Sequence, residues 1–440
     1  MQVQNIKRFD TQSFVCYTYI KVFIRIENMD YTVVKEYIDS LSGRGIVLGL
    51  DVIKKLLCEL GNPQNDFPII HVAGTNGKGS FGAYLSSVIK ASGKNCARFV
   101  SPCVGGYENT YLLNGKPIPS DILINSFTKV KSAISRLEDF GMFPTGFIAE
   151  TALAYTLFSD IQPDFAIIEC GMGGEDDATN AIDSPVLSVI TKISFDHTAF
   201  LGDTIAEIAK VKSGIIKSNT PVVSAIQHSD AAKIIKDRCI KENSSLYIAK
   251  SPENIKLGED VTEFSIDDDE YVTKMLGLYQ VQNASLAISA AKVLGIETSA
   301  VKEGIRNAEW GFRFERVGKF ILDGAHNPDG AMALANSLKA YTEPCDTAFI
   351  CACFCDKDYD EIAKITAGYA SSVYCVTAPT PRGLDKEILC KAFQNQGVTA
   401  QTSESIADAI KQADIYKNVV IFGTLSILDE AKQIIEHLKR

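Results

Sequence analysis

The stretch Phe67-Pro68-Ile69-Ile70-His71-Val72-Ala73-Gly74-Thr75-Asn76-Gly77-Lys78-Gly79-Ser80-Phe81 decides the fold. Ile69, Ile70, Val72 and Ala73 form the near-continuous apolar run expected of a parallel strand covered on both faces. The glycines at 74, 77 and 79 then let backbone N–H groups approach a ligand closely. Beyond them Phe81, Tyr84, Leu85, Val88 and Ile89 recur at helical spacing up to Gly93, a C′ stop. A glycine turn opening a helix binds anions through its unpaired N–H donors and the helix dipole. Lys78 adds a cation and Ser80 a hydroxyl suited to Mg²⁺. The reading is a nucleotide-phosphate loop, Gly74 to Ser80. The strict P-loop pattern would place glycine at Val72 and a hydroxyl at Gly79.

Outward from this loop, the chain has 440 residues, which predicts two domains or three. Hydrophobic residues make up 46% and charged residues 22%, a globular balance. The net charge of −10 argues against nucleic acid as the main partner. No apolar run approaches a membrane span, so no membrane partner is expected. Twelve cysteines, mostly scattered and with no secretory signal, fit a reducing cytoplasm. Cys351, Cys353 and Cys355 alternate and should share one face of a buried strand; no histidine lies near to complete a metal site.

Residues 1–28 read as a leader, disordered or a start-site artefact, with Met29 as the natural start. Helices are expected from Tyr31 to Leu41 and around Val52 to Leu60, and a strand from Ala97 to Val100 ends at Ser101 on the ligand side of the sheet. Asp164 to Glu169 is a buried strand running into Gly171-Met172-Gly173-Gly174, a second ligand-loop candidate. The strand Val186 to Ile193 leads to Asp196-His197, before a helix from Thr204 to Lys212. The first lobe, 29–308, is read as the nucleotide-binding domain. Past Trp310, the only tryptophan, β/α alternation restarts in a smaller C-terminal domain, 309–440. Of five histidines, His197 and His326 follow strands and have carboxylate neighbours, while His71 is expected to pack inside its strand.

HVAGTNGKGS, ECGMGGEDDATN, SFDHTAFLGDTIAEIAKVKSGIIK and ILDGAHNPDG stand in the order found in dihydrofolate synthase/folylpolyglutamate synthase, and from about Met29 onward the chain resembles that branch of the Mur-type ATP-dependent amide ligases. The resemblance implies an α/β fold: a P-loop Mur-ligase-type central domain with a mainly parallel sheet, and a smaller Rossmann-like C-terminal α/β domain. It implies a ligase that phosphorylates a carboxylate with MgATP and transfers the acyl group to the amine of L-glutamate. The acceptor would be dihydropteroate or the γ-carboxylate of a folate tail. Gly74, Thr75, Asn76, Gly77, Lys78, Gly79 and Ser80 would hold phosphate. Asn283, Arg313, Asp323 and His326 match residues that hold ATP, and Ser80, Ser101 and His197 match Mg²⁺ ligands. Lys212 matches a lysine carbamylated in the family, and Lys78, His197 and Lys212 are the catalytic candidates. A monomer is the family expectation.

The chain departs from the family pattern at five places. Ile148 stands where the family has a metal-ligand glutamate, Glu175 where it has arginine, Tyr279 and Cys103 where it has histidine, and Asn109 where it has arginine. Two further readings stay open: a divergent Mur-type ligase acting on another carboxylate, and a weakly active nucleotide-binding paralogue.

Overall fold

The computed structural model describes residues 30–45 and 49–438; the expected leader, 1–28, lies outside them. Its strands, in chain order, are β1 (Ile69–Ala73), β2 (Cys96–Phe99), β3 (Tyr111–Leu113), β4 (Lys116–Pro117), β5 (Phe165–Glu169), β6 (Leu187–Ile190), β7 (Val222–Ser224), β8 (Leu246–Ile248), β9 (Glu253–Leu257), β10 (Thr262–Ile266), β11 (Asp269–Thr273), β12 (Glu315–Val317), β13 (Phe320–Leu322), β14 (Thr347–Cys351), β15 (Ser372–Cys375), β16 (Thr399–Thr402) and β17 (Asn418–Phe422). The first sheet has eight strands in the order β4-β3-β2-β5-β1-β6-β7-β8. It is parallel from β2 to β8, with β3 and β4 an antiparallel edge. β1 is central and every residue in it is buried, as its unbroken apolar run requires.

The second large sheet has six strands, β12-β13-β17-β14-β15-β16, parallel except for β12. Both sheets are thus α/β layers with mostly parallel strands, as the sequence reading expected. Between them in the chain sits a three-stranded antiparallel sheet, β11-β10-β9, which the sequence reading did not anticipate. β9 has no buried position, β10 and β11 mix buried with more exposed ones, and all three carry charges, so no apolar run announces them. The helices Ser229–Lys241, Thr298–Asn307 and Lys386–Asn395 were also not anticipated.

Other elements fall where their local chemistry puts them. Asp30 caps the helix Tyr31–Ser42, and Thr145 caps Gly146–Ile161. The helix Ile205–Lys212 opens with a reciprocal Thr204/Glu207 capping box. The alternation at Cys351, Cys353 and Cys355 does not persist. β14 ends at Cys351 and the chain turns outward, so Cys351 and Cys353 are buried but Cys355 is exposed.

Candidate active site

Three chain segments build the floor of the site at the carboxyl ends of β1, β5 and β6. The helix Lys78–Ala91 begins within the glycine loop Gly74 to Ser80, with Gly77 in a left-handed conformation (φ 91°) at its N-cap. A Cβ at Gly77 would lie 2.5 Å from Asn283 Oδ1, and one at Gly74 would lie 1.8 Å from Thr191 Oγ1. These glycines are therefore demanded by close packing as well as by conformation. The loop is pinned to the segment after β6: Thr75 N–H donates to Lys192 O (2.8 Å), and Thr75 Oγ1 donates to Ser194 O (3.0 Å).

Two lysines converge on one carbonyl. Lys78 Nζ donates to Gly74 O at 3.2 Å, and Lys212 Nζ donates to the same oxygen at 3.0 Å. Lys212 is almost fully buried. Burial, reinforced by the nearby Lys78 charge, pushes its ammonium down to about 7, so much of it is the neutral amine near pH 7. The second glycine loop is what holds Lys212 in place. Asp177 folds that loop by accepting from Met172 N–H (2.8 Å) and Thr179 Oγ1 (2.5 Å). Gly174 packs against the Lys212 backbone, where a Cβ would meet the lysine carbonyl at 2.7 Å.

Glu169 closes β5 and lies 4.0 Å from Lys78 Nζ. Burial raises its carboxyl, and the charges of Lys78, Arg98 and Arg313 oppose that rise. It was absent from the sequence-derived site, although an acid ending an apolar strand just before a glycine loop is a readable signal. Ser80 is buried at the start of the helix, and Ser101 is half-buried in the loop after β2. His197 sits at φ 51° after Asp196. Burial takes its imidazolium down to about 4 against the opposing pull of Asp196, so the ring is neutral near pH 7.

The C-terminal sheet meets this floor directly. Asn76 Nδ2 donates to Asp329 Oδ2 (2.8 Å) and to Asn327 Oδ1 (3.1 Å), and Lys192 pairs with Asp329. Asn327 Nδ2 donates to Asp196 Oδ2 at 2.9 Å, and His326 Nε2 lies 3.6 Å from the same oxygen. Lys357 Nζ lies 2.5 Å from Asp196 Oδ1. Asp323 is buried and accepts from Tyr279 Oη (2.5 Å), Ala325 N–H (2.8 Å) and Phe314 N–H (2.9 Å). Phe312 and Phe314 both take positive φ, 57° and 54°, and so bracket Arg313 with strained backbone of the kind that gathers at functional sites. Asn283 donates to Gln280 Oε1 (2.9 Å) and borders Gly77.

The five departures each have a local setting. Ile148 is 2% exposed and belongs to the apolar core, not to the cleft. Glu175 is exposed, with its backbone N–H bonded to Val211 O at 2.9 Å. Tyr279 serves Asp323. Asn109 closes on its own loop through Val104 O and Gly105 O, both at 2.8 Å. Cys103 is partly buried, and burial raises its thiol.

Two family models match the chain: the Mur ligase middle domain over residues 145–291, and the Mur ligase glutamate ligase domain over 312–425. The chain is 34% identical to folylpolyglutamate synthase of Lacticaseibacillus casei over 429 residues, covering 92% of this chain and 98% of that protein. This chain belongs to the folylpolyglutamate/dihydrofolate synthase family of Mur ligases. It is also 32% identical to dihydrofolate synthase/folylpolyglutamate synthase of Bacillus subtilis, over 88% of this chain and 95% of that one. Among solved structures, E. coli FolC in complex with DHPP and ADP superposes with a TM-score of 0.83 at 25% identity, covering 94% of this chain and 99% of that one. The Mycobacterium tuberculosis folylpolyglutamate synthase complexed with ADP and AMPPCP gives 0.84 at 26%, covering 92% and 99%. The Mur-ligase fold expected from the motifs is therefore the fold of the family.

Proposed function

We propose that this chain is an ATP-dependent amide ligase that adds L-glutamate to dihydropteroate, to the γ-carboxylate of a (tetrahydro)folate, or to both, through an acyl phosphate. One observation carries the reading: the glycine loop of the first sheet, with Lys78 and Lys212 on one carbonyl, faces His326, Asn327 and Lys357 of the second sheet across a polar seam. The loop's N–H groups and Lys78 bind the triphosphate and neutralise charge on the transferring phosphoryl group. Asn283, Arg313, Asp323 and His326 hold the rest of the nucleotide, the last three from the boundary and the far lobe. A site split in this way closes when substrate binds.

Among the described residues no preformed cluster of three or more acidic, histidine or cysteine side chains could hold a metal. The few donors beside the loop fit Mg²⁺, which keeps several waters and binds through phosphate oxygens and one or two protein groups. Ser80, Ser101 and His197 would hold it, with Glu169 as the carboxylate beside the loop. When bound, the ion supplies charge neutralisation at the phosphoryl oxygens. A substantially neutral, buried Lys212 amine beside the Lys78 cation fits a carbamylated lysine, because the adduct's negative charge is matched by Lys78. Neutral His197 is free to offer a ring nitrogen as ligand or acceptor.

The domain division that accompanies this reading is a leader at 1–28, an ATP-binding domain at 29–308 and a C-terminal domain at 309–440. The protein acts as a cytoplasmic monomer on small-molecule substrates. Among the described residues no helix is long and apolar enough to cross a membrane. The test is ADP release by the purified protein with Mg²⁺ and L-glutamate, offering dihydropteroate and tetrahydrofolate separately. Turnover with at least one acceptor is expected. Turnover with neither, despite tight ATP binding, moves the assignment to a ligase for another carboxylate acceptor or to a weakly active nucleotide-binding paralogue.

A further inference from the structure

Arg98 lies on β2, inside a sheet whose other strands are mostly apolar, and is 3% exposed. A buried guanidinium needs partners on every side. Its Nη2 donates to Gly79 O at 2.9 Å, in the first turn of the phosphate-loop helix. Its Cζ lies over the indole of Trp310, 4.5 Å from the ring centroid. Burial brings its pKa down to about 10, partly offset by Glu169, so it stays cationic at neutral pH.

The helix is cut to receive this pair. A Cβ at Gly79 would lie 2.9 Å from Trp310 Nε1, and a Cβ at Gly82 would lie 2.8 Å from Arg98 Nη2. Positions 79 and 82 are three apart and share a helix face. Trp310 Nε1 is buried and has no hydrogen-bond partner among the described residues. Trp310 opens the segment that carries Arg313 between two left-handed phenylalanines into the C-terminal sheet.

We propose that Arg98 is a positioning residue that clamps the linker indole of Trp310 to the first turn of the phosphate-loop helix, so that nucleotide at the loop is sensed at the connection between the two lobes. The guanidinium does this with two faces. Its edge sets the Gly79 peptide, whose orientation decides where the neighbouring N–H groups point, and its plane holds the indole. Lysine carries the charge but has neither the fork nor the stacking plane. The proposal rests on the nucleotide reading given above, and its test separates the two.

Trp310 is the only tryptophan, so emission excited at the red edge of the indole band, beyond tyrosine absorption, comes from this indole, and the Arg98 variants show whether the guanidinium carries its response. The wild-type protein is titrated with AMPPCP and Mg²⁺, and binding is followed independently by calorimetry. Binding with a shift in Trp310 emission is expected. In Arg98→Met the emission shift disappears and KM for ATP rises by about tenfold, with the change in KM rather than in kcat. In Arg98→Lys part of the KM returns but the emission shift does not. Should Arg98→Met fail to fold, Arg98→Lys and the wild-type titration decide. Calorimetric binding with no change in wild-type emission overturns the clamp and leaves the nucleotide reading standing. So does an Arg98 variant with wild-type emission shift and KM. Absence of AMPPCP binding to the wild type overturns both.

Discussion

Asp196, in the loop after β6, and Lys357, in the loop after β14, form a buried ion pair across the two large sheets, 2.5 Å apart with side chains 8% and 7% exposed. Burial works against the Asp196 carboxylate. The nearby His326 ring and the Lys357 ammonium, which donates to Oδ1, outweigh it and hold the carboxyl well below its usual range. A depressed carboxyl stabilises the fold above its unfolded value near 4 and loses that contribution only as pH falls through the folded value. The seam between the lobes should therefore hold throughout neutral and mildly acidic pH.

Removing one partner leaves the other buried and charged. Lys357→Met should cost about 3 kcal/mol in urea unfolding and lower turnover. Combining it with Asp196→Asn should cost less than the two single changes added together. Strict additivity would mean that the pair is not energetically coupled.

The two kinds of left-handed glycine predict opposite outcomes. Gly77 has φ 91° and Asn283 in the space a Cβ would need, whereas Gly93 has φ 81° and nothing within 4 Å. Gly77→Ala should abolish detectable ATP binding. Gly93→Ala should cost about 1 kcal/mol of stability with turnover unchanged. Equal effects on ATP binding would refute the close-packing argument for the loop.

Lys212→Ala should remove most turnover, with partial rescue by small carboxylates. Isotope-labelled bicarbonate should give a carbamate signal in the wild type that is missing in the variant. If the wild type carries no label and turns over fully, carbamylation has no place in the mechanism.

His71 is fully buried on β1, with Nε2 2.9 Å from Thr179 Oγ1, and burial drives its imidazolium down to about 3. Between that value and the unfolded value near 6.5, the unfolded chain binds a proton that the folded chain refuses. Stability therefore falls as pH is lowered below about 6.5, by up to ~1.4 kcal/mol per pH unit from this group. His71→Leu should flatten the acid limb of the unfolding curve between pH 6 and pH 4, estimated as roughly one proton's worth of slope. An unchanged slope assigns the acid sensitivity elsewhere.

From the sequence alone, Ile148→Glu is expected to tighten Mg²⁺ binding. In the structure Ile148 is core, so the new carboxylate starts from an apolar site. The variant should melt lower than wild type by about 2 kcal/mol or more in chelator, with part recovered in saturating Mg²⁺. No difference between the two conditions would mean that a carboxylate at 148 does not reach the ion.

Much of the architecture was legible because it is locally encoded. β1 is an unbroken apolar run, the phosphate loop needs glycine where it turns, and Thr145, Thr204 and Asn327 cap the helices they precede. The sheet β9–β11 was not legible, because its strands are held by pairing with one another more than by their own pattern. Glu169 carries a readable signal, an acid ending an apolar strand before a glycine loop, but its place beside Lys78 is set by the pairing of β1 with β5.

The sequence by itself determined the glycine turn, the strand before it, the helix after it and the family whose motifs surround them, since each is a short-range matter of backbone freedom and apolar spacing. Only the tertiary structure decided that Asn76 meets Asn327, 251 positions later, that Lys78 and Lys212 share one carbonyl, and that Arg98 reaches Trp310 across the face of a helix. Such contacts join residues far apart in the chain. They are set by how the sheets and helices pack, and local preference carries no record of that packing.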